Sequence, residues 1–165
     1  MARIEYWKTR WATLLTILRV APHLPRIRPG SPWNAARLLE DQSRKHGDHP
    51  CILFEDRRYT WKEVHQEVNR TARAFQAIGV KQGDVVALLM DNRPEFLFAV
   101  TALNRIRAAG ALINTNITGM ALVHAIQIAK PFGILVGQEH QQKVEHILSE
   151  LDGLSKSNVL IQGEP

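Results

Sequence analysis

One cysteine, Cys51, is all that the 165 residues contain, which excludes an intrachain disulfide and a cysteine metal cluster. It lies within a short apolar stretch, where a thiol serves as a small core residue. No apolar run approaches the roughly 20 residues a bilayer-spanning helix needs, and basic residues within the first twenty interrupt the apolar region of a secretory signal. Asn69-Arg70-Thr71 and Asn116-Ile117-Thr118 therefore carry little weight as glycosylation sites. The sequence also lacks Gly-x-x-x-x-Gly-Lys-Ser/Thr, Gly-x-Gly-x-x-Gly, Gly-x-Ser-x-Gly and His-Glu-x-x-His, together with any internal repeat or low-complexity tract. Those absences remove the common phosphate loops, the nucleophile elbow and the helical zinc site.

What is present is an apolar content of 45%, enough for one modest domain with its own core. The net charge of +5 is unevenly placed: residues 1–30 hold six basic residues against Glu5, and the remainder carries fifteen of each sign. The basic balance thus describes an amino-terminal appendage, and a nucleic-acid-binding face is not expected. Within it, Ile4, Trp7, Trp11, Leu14, Leu15 and Leu18 fall in one helical arc of roughly 100°. Lys8 and Arg19 border one side, Arg3 and Arg10 the other, as in a helix lying in a lipid interface with its cations at the headgroups. A helix docked on another part of the protein has the same pattern. Pro22, Pro25, Pro29 and Pro32 then form an extended linker. The expected division is 1–30 as appendage and linker, and 31–165 as the first part of an α/β domain.

From Ser31 the punctuation becomes regular. Ser31 and Pro32 open a helix that stops at Gly47. Strands over 51–55 and 58–60 flank a turn at Asp56 and Arg57. Thr60-Trp61-Lys62-Glu63 reads as a capping box for a helix that buries Trp61, Val64, Val68, Ala72 and Phe75 and closes at Gly79. Lys62, Glu67, Arg70 and Arg73 form its solvated face. Strand and helix then alternate: strands over 85–90, 111–114, 133–136 and 158–161, and helices over 94–109, 120–129 and 140–151. Apolar strands such as Val85 to Met90 indicate a mostly parallel sheet covered on both faces. The helix containing residues 96–103, apolar all round, should lie between layers.

Candidate chemistry concentrates at strand ends. Asp91-Asn92-Arg93-Pro94-Glu95 follows a parallel strand, where open α/β sheets bind ligands; helix capping by Asp91 or Asn92 with Pro94 in the first turn explains it as well. Capping also accounts for Asn114 to Gly119. The histidines at 23, 46, 49, 65, 124, 140 and 146 show no metal-ligand spacing, and His46 and His49 flank a solvated Gly-Asp turn. No catalytic, cofactor-binding or metal-binding residue is assigned.

Four segments, spanning roughly residues 33–137, resemble the start of adenylate-forming acyl-CoA synthetases, and especially their fatty-acid-transport-protein, or very-long-chain, branch: Tyr59-Thr60-Trp61-Lys62-Glu63-Val64, Gly79 to Ala87, Met90-Asp91-Asn92-Arg93-Pro94-Glu95-Phe96, and Ala108 to Asn116. The resemblance implies an amino-terminal α/β portion of an ATP-dependent ligase. Such a ligase forms an acyl-adenylate from a long-chain fatty acid and passes the acyl group to coenzyme A, with Mg2+ at the phosphates. The phosphate loop, the ribose-binding aspartate and the catalytic lysine lie downstream in that family, so the segment is expected to be an inactive scaffold alone, and no catalytic residue carries over. It also implies a peripheral position, on the cytoplasmic side of a membrane or in the cytoplasm. Two other classes stay open: a stand-alone nucleotide- or acyl-binding module, and a membrane-associated interaction protein acting through residues 1–20.

Overall fold

The computed structural model describes residues 34–163; the amphipathic segment, the proline linker and the Ser31–Pro32 helix start lie outside them. Helix α1 (Ala35–His46) leads to strands β1 (Pro50–Phe54) and β2 (Arg57–Thr60), which pair antiparallel. The connecting turn falls at Glu55 and Asp56, one residue earlier than expected, with Glu55 at φ 51° and Arg57 already paired with Phe54. Helix α2 (Trp61–Ala77) opens with the expected capping box: Thr60 Oγ1 accepts from the Glu63 amide at 3.2 Å, and Glu63 accepts from the Thr60 amide at 2.7 Å. Gly79, at φ 98°, takes the left-handed conformation that ends it.

The chain continues through β3 (Val85–Leu89), α3 (Pro94–Arg105), β4 (Ala109–Leu112), α4 (Gly119–Ala129), β5 (Gly133–Gly137), α5 (Gln141–Ile147) and β6 (Val159–Gln162). Helix α3 is shorter than expected. Arg107 adopts φ 60°, and the Ala109 amide already bonds Asp84 in the approach to β4, so Arg107 lies beyond the helix and β4 begins two residues early. The helix expected over 140–151 is an α-helical core flanked by single 3-10 turns, Gln138–His140 and Leu148–Glu150. Four parallel strands form one sheet in the order β4-β3-β5-β6.

Alternation along β3 divides the interior. Val86 and Leu88 join a core with Val68, Phe75, Phe98 and Leu103 beneath α2 and α3, while Ala87 and Leu89 join a second with Leu122, Ile126, Val144 and Ile147 beneath α4 and α5. Two buried faces explain the uninterrupted apolar strands. Helix α3 packs against α1, α2 and β4 through Phe98, Ala99, Ala102 and Leu103, while Leu97 stays half exposed. The hairpin joins the first core through Tyr59, whose ring meets Phe98 edge-on at 5.4 Å.

Strands β5 and β6 approach so closely that a Cβ on Gly133 would stand 2.6 Å from the Asn158 carbonyl oxygen. Gly133→Ala should therefore push β6 outward and destabilise the domain by about 1–3 kcal/mol in urea unfolding, as overpacking does; an unchanged midpoint would show that the entrance to β6 yields freely.

Candidate functional site

The strand order creates a crevice. From β3 the chain moves to β4 on one side, then crosses back to β5 on the other, so the loops leaving β3 and β5 diverge above their carboxyl ends. Open α/β sheets receive ligands at this switch point. Asp91, Asn92, Arg93 and Glu95 enter it from β3, Glu139 and His140 from β5, and Arg57 reaches it from the hairpin.

These side chains form one network. Arg57 Nη1 donates to Glu95 Oε1 at 2.7 Å. The Arg93 side chain, only 9% exposed, lies 3.7 Å from Glu95 through Nε and 3.4 Å from Glu139 through Nη1, and donates to the Gln162 carbonyl at 3.0 Å through Nη2. Glu139 Oε1 accepts from the Asp91 amide at 3.0 Å, and Asp91 Oδ1 accepts from His140 Nε2 at 2.8 Å. Nε and Oε2 of the Arg93–Glu95 pair are buried without a hydrogen bond, and at 3.7 Å each is the other's compensating charge. The loop after β4 is tied in by Lys143, which donates to the Thr115 carbonyl at 2.7 Å.

The hydrogen bond from His140 holds the Asp91 carboxyl below its ordinary range; desolvation opposes it, and Thr115 and Lys143 reinforce it. An ionised Asp91 takes its hydrogen bond from a proton on His140 Nε2, while the buried Nδ1 has no hydrogen-bond partner among the described residues. Gly137 makes room for the arrangement: a Cβ there would fall 2.1 Å from a Glu139 carboxylate oxygen.

Capping by Asp91 or Asn92 is not observed. Arg93 holds the N-cap position of α3 without a side-chain bond and Pro94 starts the helix, while Asp91 is committed to His140. The segment after β4 departs in the same way: Asn114 Oδ1 accepts from the Asn116 amide at 2.9 Å, and Thr118 caps α4 with no side-chain bond. The partners of 91–95 escaped sequence reading because they lie 38 to 69 residues away or on the far strand, and no periodicity marks such pairs. Cys51 is partly buried against the first core, and burial raises its thiol pKa.

The network limits what the crevice can hold. Its concavity of about 410 Å³ is lined by Glu55, Asp91 and Glu139 beside Arg57 and Arg93, and both arginines are already matched to carboxylates. A nucleotide triphosphate would meet acceptors and no uncommitted cation, so the described residues do not fit one. Donor atoms of Asp91, Glu139 and His140 lie within 4.8 Å of one another, but each residue is engaged, and a divalent ion would adjoin the Arg93 guanidinium on Glu139. That donor set does not fit a metal without dismantling the network.

Because the folded-state pKa of Asp91 is depressed, its contribution is present above the unfolded value of about 4 and is lost as pH falls through the lower folded value. Urea midpoints measured from pH 6 downward should fall in acid for the native chain and fall less for Asp91→Asn; equal slopes would remove Asp91 from the linkage.

Comparison with known proteins places this geometry. The family profile described as AMP-binding enzyme matches residues 39–164. The chain is similar to the human long-chain fatty acid transport protein 6, with 28% identity over 147 residues, 88% of this chain and 24% of that protein. It is similar to the crotonobetaine/carnitine–CoA ligase of Salmonella paratyphi A, with 34% identity over 91 residues, 52% of this chain and 18% of that enzyme. Its fold resembles the anthranilate CoA ligase AuaEII in complex with anthranoyl-AMP, with a TM-score of 0.74 and 23% identity over 81% of this chain and 25% of that one. It likewise resembles the N-terminal domain of FACL13 from Mycobacterium tuberculosis, with a TM-score of 0.70 and 21% identity over 79% and 34% of the two chains. The chain thus spans a quarter or less of the two curated relatives, and with three-quarters of its length under one family profile it belongs to the AMP-binding enzyme family.

Proposed function

We propose that this chain is the amino-terminal part of an AMP-forming acyl-CoA ligase acting on long-chain fatty acids. The observation that carries the reading is the family match over residues 39–164. The fatty-acid branch is favoured by the extent of its similarity, since the match to the human transport protein covers 88% of this chain and that to the carnitine ligase 52%. In the proposed reaction, the carboxylate attacks the α-phosphorus of ATP, releasing pyrophosphate and forming an acyl-adenylate; the coenzyme A thiolate then displaces AMP. ATP, Mg2+ and coenzyme A are assigned to the whole ligase. Charge on the transferring phosphates calls for a lysine and a loop of backbone amides, and the switch-point residues supply neither. Their contribution is a fixed wall at the carboxyl ends of β3, β5 and β6.

No helix among the described residues is long and apolar enough to cross a membrane. We propose peripheral attachment to the cytoplasmic side of a membrane through residues 1–20, supported by the tryptophan-bearing apolar arc and its flanking cations. This would place the ligase where long-chain acids partition.

Two measurements test these readings. The product of the complete reading frame should convert palmitate, ATP and coenzyme A to the thioester on the order of tenfold faster than it converts carnitine or anthranilate. The reverse preference, or a frame that closes without a Ser/Thr/Gly-rich loop and a lysine, would contradict the assignment and favour a binding module. Trp7→Glu with Trp11→Glu should abolish co-sedimentation with vesicles rich in anionic lipid; retained binding would refute the attachment.

A further inference from the structure

We propose that Arg93 is a positioning residue, whose guanidinium fixes the backbone leaving β6 and so sets the direction in which the chain passes beyond Gln162. The inference rests on the ligase reading only for its catalytic consequence. Its basis is geometric. The three guanidinium nitrogens address three separate elements: Nε faces Glu95 in the first turn of α3, Nη1 faces Glu139 after β5, and Nη2 donates to the Gln162 carbonyl at the end of β6. Two carboxylates hold the planar group in place, and the remaining donor is aimed at a backbone oxygen 69 residues away. Burial to 9% exposure removes the competition from water that weakens such contacts at a surface.

Stability alone accounts poorly for this choice of side chain. Neutralising Glu95 and Glu139 asks for positive charge, which lysine also supplies, whereas a single ammonium cannot address three acceptors in a fixed planar fork. What the planar fork adds is simultaneous reach: Nη2 donates to the strand exit while Nε and Nη1 face the two carboxylates. Gly137 follows the same logic, because a side chain there would displace the Glu139 carboxylate that orients the guanidinium. The curated relatives are four or more times longer than their matched region, and in a chain of that length the direction of exit from β6 would set where the following segment lies against the switch-point wall.

Arg93→Lys separates positioning from charge, and Arg70→Lys, in an exposed pair on α2, serves as the control. In the full chain, Arg93→Lys should leave the melting temperature within a few degrees while accelerating amide exchange in the peptide covering residues 159–163; exchange there that matches wild type would overturn the proposal. In the complete ligase, the same variant should lower kcat by about tenfold with KM values for ATP and fatty acid within about twofold. An unchanged kcat, or a loss that merely tracks reduced folding stability, would overturn the catalytic consequence. A wild-type protein without ligase activity would instead refute the functional reading, and the exchange measurement would still decide whether Arg93 fixes the exit.

Discussion

A guanidinium cannot be buried alone. Withdrawing Arg93 from water carries a penalty of several kcal/mol that only opposite charge and hydrogen bonds can offset, and the surrounding structure is arranged to meet that demand. Glu95 arrives on the first turn of α3, Glu139 on the loop after β5, and Gln162 offers its carbonyl at the end of β6. Arg57 extends the chain of charges to the hairpin, and His140 extends it through Asp91. Five elements that alternate in sequence are thereby held at one end of the sheet.

The sheet makes that meeting unavoidable. Two cores share β3, with successive residues pointing to opposite faces, so the strand must stay central and its neighbours must lie on either side. Once β4 and β5 flank β3, their exits form a switch point, and polar residues that follow β3 and β5 face each other across it. Among the described residues the crevice holds a self-neutralising network, with no uncommitted cation for a phosphate. A wall of this kind suits the proposed reading of the chain as the amino-terminal part of a ligase.

Much of the fold was legible because its signals are local. The capping box at Thr60 and Glu63, Gly79 beyond α2 and Pro94 at the start of α3 all act within a few residues of themselves, and each forms as read; the apolar strands form too, with β4 two residues early. Helix ends were less legible: Arg107 stops α3 by a left-handed conformation that nothing in its side chain announces. The candidate site was least legible. The segment 91–95 stood out, yet capping explained it in isolation, and its true partners at 57, 139, 140 and 162 become neighbours only after the sheet has formed. Gly137 carries the one faint trace, a small residue two positions before a glutamate whose carboxylate folds back over it.

Arg93 and Glu139, 3.4 Å apart, should be energetically coupled across the switch point. A double-mutant cycle with Arg93→Met and Glu139→Gln, followed by urea unfolding near neutral pH, measures that coupling directly. A coupling energy of about 1–3 kcal/mol is predicted, since losing Glu139 leaves the Arg93 guanidinium, only 9% exposed, with Glu95 as its remaining carboxylate. Additivity within about 0.5 kcal/mol would show that the two side chains act independently, and would mean that the strand exits are held by their packing alone.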